Sequence, residues 1–455
     1  MLSMGIELPA DARIGLVVEA FNPDRVLMAC REQLTHIPME TRSRWTCCRV
    51  VEALYHPDRY IRVAYALLDD ETIPLNRNWP QGQIVYLHAP LREPMSRRGH
   101  VLTLDETKVE IYLFPNDRRL RGLRKFQGRT DASEVWQNWI DASPDDFQID
   151  PQTLRRVMIR YVPEQKWIVR LRARGVETGT GAASKRSIAV RSASSDSCEE
   201  LARRHQSLSD QWAACSVPFT IPAVIGTDIK GGLIATEWIK GQSLVETLQS
   251  ESPRDVMHRV VEVLSSFHGM DVDRLPMLTG TGLRRRVQMA VADLVIACPE
   301  LKDELRDIDE KLQHSLGNIH MDEPMTLHND FHWNQLRING DRVALMDLER
   351  MCIGDPLIDV ANFAGQVRML GLRPEHNIDS TTATTWAYAF LEEWSVYTCQ
   401  NIHPVRFRSY LAVSLLELAR GMMRHLRPGW HELTHRCIDL AIGDLGSLSK
   451  ETASA

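Results

Sequence analysis

No stretch of this 455-residue sequence is long and apolar enough to span a bilayer. The apolar run at 290–298 is broken by Asp293, whereas a span needs about 20 apolar residues. A charge excess is also missing: 54 Lys and Arg stand against 60 Asp and Glu, a net −6. No field suited to nucleic acid or to an anionic membrane is therefore expected. The first ten residues contain Glu7 and lack a basic start followed by an apolar core, so no secretory leader is expected. The nine cysteines form no CxxC or zinc-type spacing, their count is odd, and their one close pair is Cys47–Cys48. Reduced thiols in a cytoplasmic protein are the expectation. Also lacking is a GxGxxG loop, so phosphate cradling by bare glycine backbone is not expected. The small-residue stretch at 175–184 reads as a flexible connector between strands.

What is present is enough chain for two or three domains. The chemistry gathers between His328 and Phe363. There His328-Asn329-Asp330-Phe331-His332-Trp333-Asn334-Gln335 is followed by two apolar runs around Asn339-Gly340-Asp341, then by Met346-Asp347-Leu348-Glu349. Asn-Gly between apolar runs is a hairpin signal, and a hairpin brings Asp330 at its entry toward Asp347 at its exit. Two carboxylates beside an amide suit a divalent cation and an oriented hydroxyl. The bland alternative is that these acids cap helices and line a solvated turn.

These motifs resemble the catalytic and metal loops of the aminoglycoside phosphotransferase and choline kinase-like family, which has the protein-kinase fold. The family's His-Gly-Asp-Leu-His-x-x-Asn corresponds to residues 328–335, and its Ile-Asp-aromatic-acid to residues 346–349. Gly354-Asp355-Pro356 and Asp359 follow as the family has them. The resemblance implies Asp330 as catalytic base, and Asp347 with Gln335 as magnesium ligands, with Glu349 assisting. It also implies His328, Asp355 and Asp359 as loop-structuring residues, Asp359 by bonding backbone. Gln335 departs from the family's Asn, by one methylene on the stem. Phosphoryl transfer built this way is positioning plus charge neutralisation.

The same resemblance assigns the preceding segments. Strands at 157–162 and 167–174, joined by Pro163-Glu164-Gln165-Lys166, correspond to the hairpin that covers the nucleotide phosphates. Arg191 stands where the family has its phosphate-pairing lysine, with Lys185 as the other candidate. Glu200, or Glu199, corresponds to the helix acid that pairs with that cation; plain helix-dipole acids are the alternative. Glu237, Trp238 and Ile239 correspond to the hinge that seats adenine. Helices are expected at 255–268, 284–298, 300–315, 356–370, 382–398, 404–426 and 430–445. The last three form the acceptor wall by resemblance, with Glu392, Glu393, Glu417, Arg424, His425 and Trp430 as contact candidates. Arg406, Arg408 and Arg420 on the same wall argue against a polycationic acceptor.

Residues 1–150 read as an N-terminal extension. Tyr55-His56-Pro57 and Tyr161-Val162-Pro163 each precede a polar turn and an alternating strand, which suits either a duplicated N-lobe-like unit or two similar hairpins. The expected architecture is α+β: the extension, a kinase-like N-lobe at 151–240 and a helical C-lobe at 241–455. The expected function is ATP- and Mg2+-dependent phosphorylation of a hydroxyl on a sugar, antibiotic or amino alcohol. Two alternatives stay open: a kinase-like pseudoenzyme that only binds nucleotide or small molecules, and a transition-metal site made by His328, Asp330 and His332.

Overall fold

The computed structural model describes residues 7–18, 22–72, 83–91, 99–104, 106–142, 147–193, 195–214, 218–319 and 323–452. Two compact units divide the chain. One comprises Met1–Ala202, Ala223–Trp238 and Arg424–Pro428; the other comprises Arg203–Pro222, Ile239–Met423 and Gly429–Ala455. The first is rich in strands and the second in helices, which is the expected α+β class. Among the described residues no helix is long and apolar enough to cross a membrane.

In the first unit, α1 (Pro23–Gln33) and α2 (Met39–Arg44) precede five strands. These are β1 (Cys47–His56), β2 (Tyr60–Leu68), β3 (Gln83–Pro90), β4 (His100–Leu104) and β5 (Thr107–Leu113), paired in the order β1-β2-β3-β5-β4. Next come α3 (Arg129–Asp141), β6 (Phe147–Ile149), β7 (Arg155–Val162), β8 (Lys166–Glu177), β9 (Ala183–Ser192) and α4 (Ser195–Ala214), which from Arg203 on is assigned to the second unit. After β10 (Phe219–Thr220), which belongs to the second unit, β11 (Val224–Asp228) and β12 (Leu233–Glu237) finish the second sheet. Its strands follow the path β7-β8-β9-β12-β11, with β6 sharing an edge of β8. The two sheets therefore run through the same strand order. Their first turns also match. Arg59 N–H donates to His56 and Gln165 N–H to Val162, both at 3.0 Å, while Asp58 and Glu164 have φ of 63° and 62°. Proline followed by a left-handed residue is the type II turn pattern.

The boundary expected near residue 150 falls within one core. Tyr86, Tyr112 and Phe114 of the first sheet share a buried cluster with Phe147, Leu154, Tyr161 and Trp167. At its edge lies a polar network around Glu164, which is 4% exposed. Its carboxylate accepts from Arg118 at 2.7 Å and pairs with Arg62 at 3.1 Å. Its backbone N–H donates to Asp117, which also accepts from the Tyr161 hydroxyl. Arg62 in turn donates through Nε to His88 Nδ1 at 3.0 Å.

Burial, and then the Arg62 charge, push His88 down to about 3. An unfolded histidine titrates near 6.5, so the stability that neutral His88 supports is complete above pH 6.5 and is lost as the pH falls toward 3. Denaturant titrations of His88→Gln are expected to show a shallower pH dependence than wild type in that window. Equal slopes would remove His88 from the account.

One expectation is corrected here. The connector expected at 175–184 is confined to 178–182, since β8 runs to Glu177 and β9 starts at Ala183. Gly175 pairs with Ile149 on one side and Ser184 on the other. A Cβ on Gly175 would lie 2.1 Å from the Gln148 carbonyl oxygen, so this glycine permits β6 to approach rather than loosening a loop.

From Ile239 the second unit continues with β13 (Gln242–Ser243), α5 (Leu244–Ser250), α6 (Pro253–His268), α7 (Gly280–Ala297) and α8 (Lys302–Gly317). Apolar residues at helical spacing bury one face of α6, including Val256, Val260, Val263, Leu264 and Phe267. Then β14 (Met325–Leu327), β15 (Leu336–Asn339), β16 (Arg342–Leu345) and β17 (Cys352–Gly354) frame the motif region. The helices α9 (Leu357–Arg368), α10 (Ser380–Thr398), α11 (Pro404–Arg424) and α12 (Trp430–Thr452) complete the chain. β14 pairs with β17, so residues 328–351 form a segment closed at its base. Inside it β15 and β16 form the expected hairpin, with Asn339 opposite Arg342. The two-residue loop is Gly340-Asp341, and Gly340 has φ 60°, as a type II′ turn asks of its first central residue.

Candidate active site

The site grows out of the closed segment between β14 and β17. Asp359, in the first turn of α9, is fully buried. Its Oδ2 accepts from the His328 N–H at 2.8 Å and its Oδ1 from the Asn329 N–H at 2.8 Å. His268, at the end of α6, bonds the same carboxylate through Nε2 at 3.1 Å. The backbone immediately before Asp330 is thus gripped by one buried acid. Asn329 has φ 59°, a left-handed conformation that glycine and asparagine tolerate best. That accounts for asparagine standing where the related motif has glycine.

The second carboxylate is tied to the first loop through backbone. His328 donates from Nε2 to the Met346 carbonyl at 2.8 Å, and the Met346 N–H donates to the Gln335 carbonyl at 2.9 Å. Asp347, the next residue, adopts φ 62° and ψ 61°. A left-handed non-glycine residue costs on the order of 1 kcal/mol or more and persists where its surroundings hold it. Both Asp330 and Asp347 are half-buried.

Gln335 is buried beside His332. The Asn334 N–H donates to His332 Nδ1 at 3.2 Å. Burial, followed by the His328 charge, pushes His332 down to about 4, so the ring is neutral near pH 7 with its proton on Nε2. That proton faces the Gln335 side-chain amide at 3.2 Å. The amide therefore turns its oxygen to the ring, because two N–H groups cannot bond each other. An amide oxygen has two lone pairs, and His332 engages one of them. Carboxylate and amide oxygens are the donors that a hard cation such as magnesium takes, so Asp347 and Gln335 fit that ion by chemistry.

Asp355 is buried and serves packing. It accepts from the Leu357 N–H at 3.1 Å, from Arg406 Nε at 2.9 Å and from the Tyr410 hydroxyl at 2.8 Å. Arg406 is thereby committed to a partner. Arg420 likewise bonds Asp293 at 2.6 Å, and Glu393 bonds Arg254 at 2.7 Å and His258 at 3.1 Å. Trp430 is fully buried, so it is a core residue and not an acceptor contact. Glu392 is exposed. His425 bonds Glu52 at 2.9 Å within the first unit.

The residues expected around nucleotide lie mostly in the first unit. Arg191 sits on β9 between Ile168 of β8 and Ile234 of β12, and is half-buried. Glu200, also half-buried, lies on α4, whose first turns are held to β12 by a Cys198 Sγ contact with the Leu233 carbonyl at 3.1 Å. The Glu237 N–H donates to Ala223 and the Trp238 N–H to Ser187. Arg170 stacks 4.4 Å above the Trp238 ring. The first unit's stretch ends at Trp238, and Ile239 begins the next.

Reading the chain in one dimension missed three arginines. Arg350 Nη1 lies 3.6 Å from Asp330 Oδ1, and Arg350 Nη2 lies 3.9 Å from Glu417. Arg286 donates to the Asn329 side chain at 2.9 Å and lies 3.8 Å from Glu417. Arg204 donates to the Glu349 carbonyl at 3.1 Å. Arg350, three residues after Asp347, was the one within sight of the motif. The transition-metal alternative loses support, because His328 Nε2 and His332 Nδ1 are both engaged with backbone.

The model of a family described as "Phosphotransferase enzyme family" matches residues 148–406. Among solved structures, aminoglycoside phosphotransferase APH(4)-Ia is similar at 15% identity. That match covers 70% of this chain and 99% of that one, with a TM-score of 0.45. The streptomycin–ATP–APH(2")-IIa ternary complex is similar at 15% identity, covering 68% of this chain and 98% of that one, with a TM-score of 0.43. No curated protein matches the chain.

Proposed function

Because the chain belongs to the phosphotransferase enzyme family, we propose that it moves the γ-phosphate of ATP to a hydroxyl of a small polar metabolite, such as a sugar, an antibiotic or an amino alcohol. The observation that carries this reading is the double tie on the acidic loops. Asp359 grips the backbone before Asp330, and His328 bonds the carbonyl before Asp347. Asp330 orients the acceptor hydroxyl and takes its proton. The hydroxyl oxygen bonds the γ-phosphorus while the bond to the β–γ bridging oxygen breaks, releasing ADP. Asp347 and Gln335 would hold magnesium, which would neutralise phosphate charge. Arg191 contacts phosphate, with Glu200 positioning it. Adenine sits against Glu237, Trp238 and Ile239; the first two N–H groups are already donating, which leaves recognition to the carbonyls and to Ile239.

His332 supports this site by orienting the Gln335 oxygen. Groups that orient a metal ligand are worth about 10–100-fold in metal affinity or activity. His332→Ala is accordingly expected to raise the magnesium concentration needed for half-maximal turnover by about tenfold or more. An unchanged magnesium dependence would remove Gln335 from the metal site.

The surroundings of Asp330 also bear on the acceptor. Arg350 and Arg286 stand around it, each also within 4 Å of Glu417. A polycation would meet like charge here, so neutral or anionic acceptors are expected to outperform aminoglycosides in a panel. The test of the whole reading is magnesium-dependent ATP consumption across that panel, with Asp330→Asn as control. The second reading, a nucleotide- or small-molecule-binding module without transfer, is favoured by Arg191 and Gln335 standing where the related motifs have lysine and asparagine. If wild type and Asp330→Asn consume ATP equally slowly, that second reading replaces the first.

A further inference from the structure

A different part of the second unit gathers four metal-ligating side chains. Cys298 and Glu300 flank Pro299, where a short 3-10 turn (Pro299–Leu301) joins α7 to α8. His431 and His435 lie one turn apart at the start of α12, with ring centroids 4.8 Å apart. His431 Nε2 is 2.8 Å from Glu300 Oε1, and His435 Nε2 is 3.3 Å from the same oxygen. The Cys298 sulfur, the Glu300 oxygen and a His431 nitrogen all lie within 4.8 Å of one another.

We propose that Cys298, Glu300, His431 and His435 bind a divalent transition metal, zinc foremost, that ties the α7–α8 connection to α12. The donor set is one sulfur, two imidazole nitrogens and one carboxylate oxygen, which zinc takes tetrahedrally. Bond lengths of about 2.0–2.3 Å place tetrahedral ligand atoms about 3.3–3.8 Å apart, within reach of the observed separations. Two histidines four residues apart on one helix face are a recurrent metal pair. A histidine–glutamate hydrogen-bond cluster would account for the imidazoles and the carboxylate. A metal accounts in addition for the approach of the buried Cys298 sulfur to both. Glu300, His431 and His435 are each more than a third exposed, so an ion can enter from solvent. Four protein ligands leave no open position, which is the mark of a structural site.

The site does not draw on the phosphotransferase reading, and its test is separate. Untagged full-length protein, stripped of metal, is titrated with cobalt(II) and then with zinc. The expected result is one equivalent of cobalt per chain with a thiolate-to-cobalt charge-transfer band, displacement by zinc, and a higher melting temperature in the loaded form. Cys298→Ser is expected to lose the band. His435→Gln, at a half-buried surface position, is expected to lose stoichiometric binding. Absence of the band in wild type, or its survival in Cys298→Ser, overturns the proposal, as does full cobalt binding by His435→Gln.

Discussion

Asp330→Asn is expected to lower kcat by about 10²–10⁴-fold while leaving the melting temperature unchanged. The substitution keeps the shape of the side chain and removes its capacity to accept a proton. Asp330 is half-buried, and its ion pair with Arg350 is long, at 3.6 Å, with side chains 29% and 48% exposed. Pairs of that kind contribute about 0–1 kcal/mol, so weakening this one is expected to leave the melt nearly unmoved. The expected pattern is a fall in kcat with KM for ATP nearly constant, because the lost interaction belongs to the acceptor and not to the nucleotide. Steady-state turnover over a magnesium series, beside a thermal melt, measures both halves. A variant retaining wild-type kcat would dismiss Asp330 as the base.

Asp359→Ala is expected to cost about 3–5 kcal/mol of stability and to abolish turnover. Its carboxylate is fully buried and satisfies two backbone N–H groups and His268. Alanine leaves those donors without an acceptor in a site from which water is excluded. The left-handed Asn329 loses its restraint at the same time, and Asp330 follows it. Asp359→Asn keeps one acceptor oxygen and is expected to fall between alanine and wild type. Urea denaturation reads the stability term through the midpoint, with the slope unchanged. A midpoint within experimental error of wild type would show that the loop is held by something else.

The hairpin that leads into Asp347 was legible because its cause is local: Asn339-Gly340-Asp341 turns the chain, and Leu336, Ile338, Val343 and Leu345 bury its flanks. Helices α6 to α12 were legible for a similar reason, since apolar spacing repeats every three to four residues within each. The connector read at 175–184 is shorter in the structure, at 178–182, because glycine weighs as loop in a one-dimensional reading even where it lies in a strand. In the sheet, Gly175 is the only residue type that lets β6 lie against β8. Trp430 was misplaced on the acceptor wall because composition gives a tryptophan no direction, whereas the fold buries it completely.

What the residues in order determined by themselves was the element sequence, the turns and the two acidic loops, all set by interactions a few positions long. Only packing decided that His268 would meet Asp359 across 91 positions, that Glu164 would be buried against Arg62, and that Cys298 would meet His431. Such partners are chosen when burial excludes water and each polar group must take whichever donor or acceptor the folded chain brings to it. No spacing rule along the chain encodes that choice.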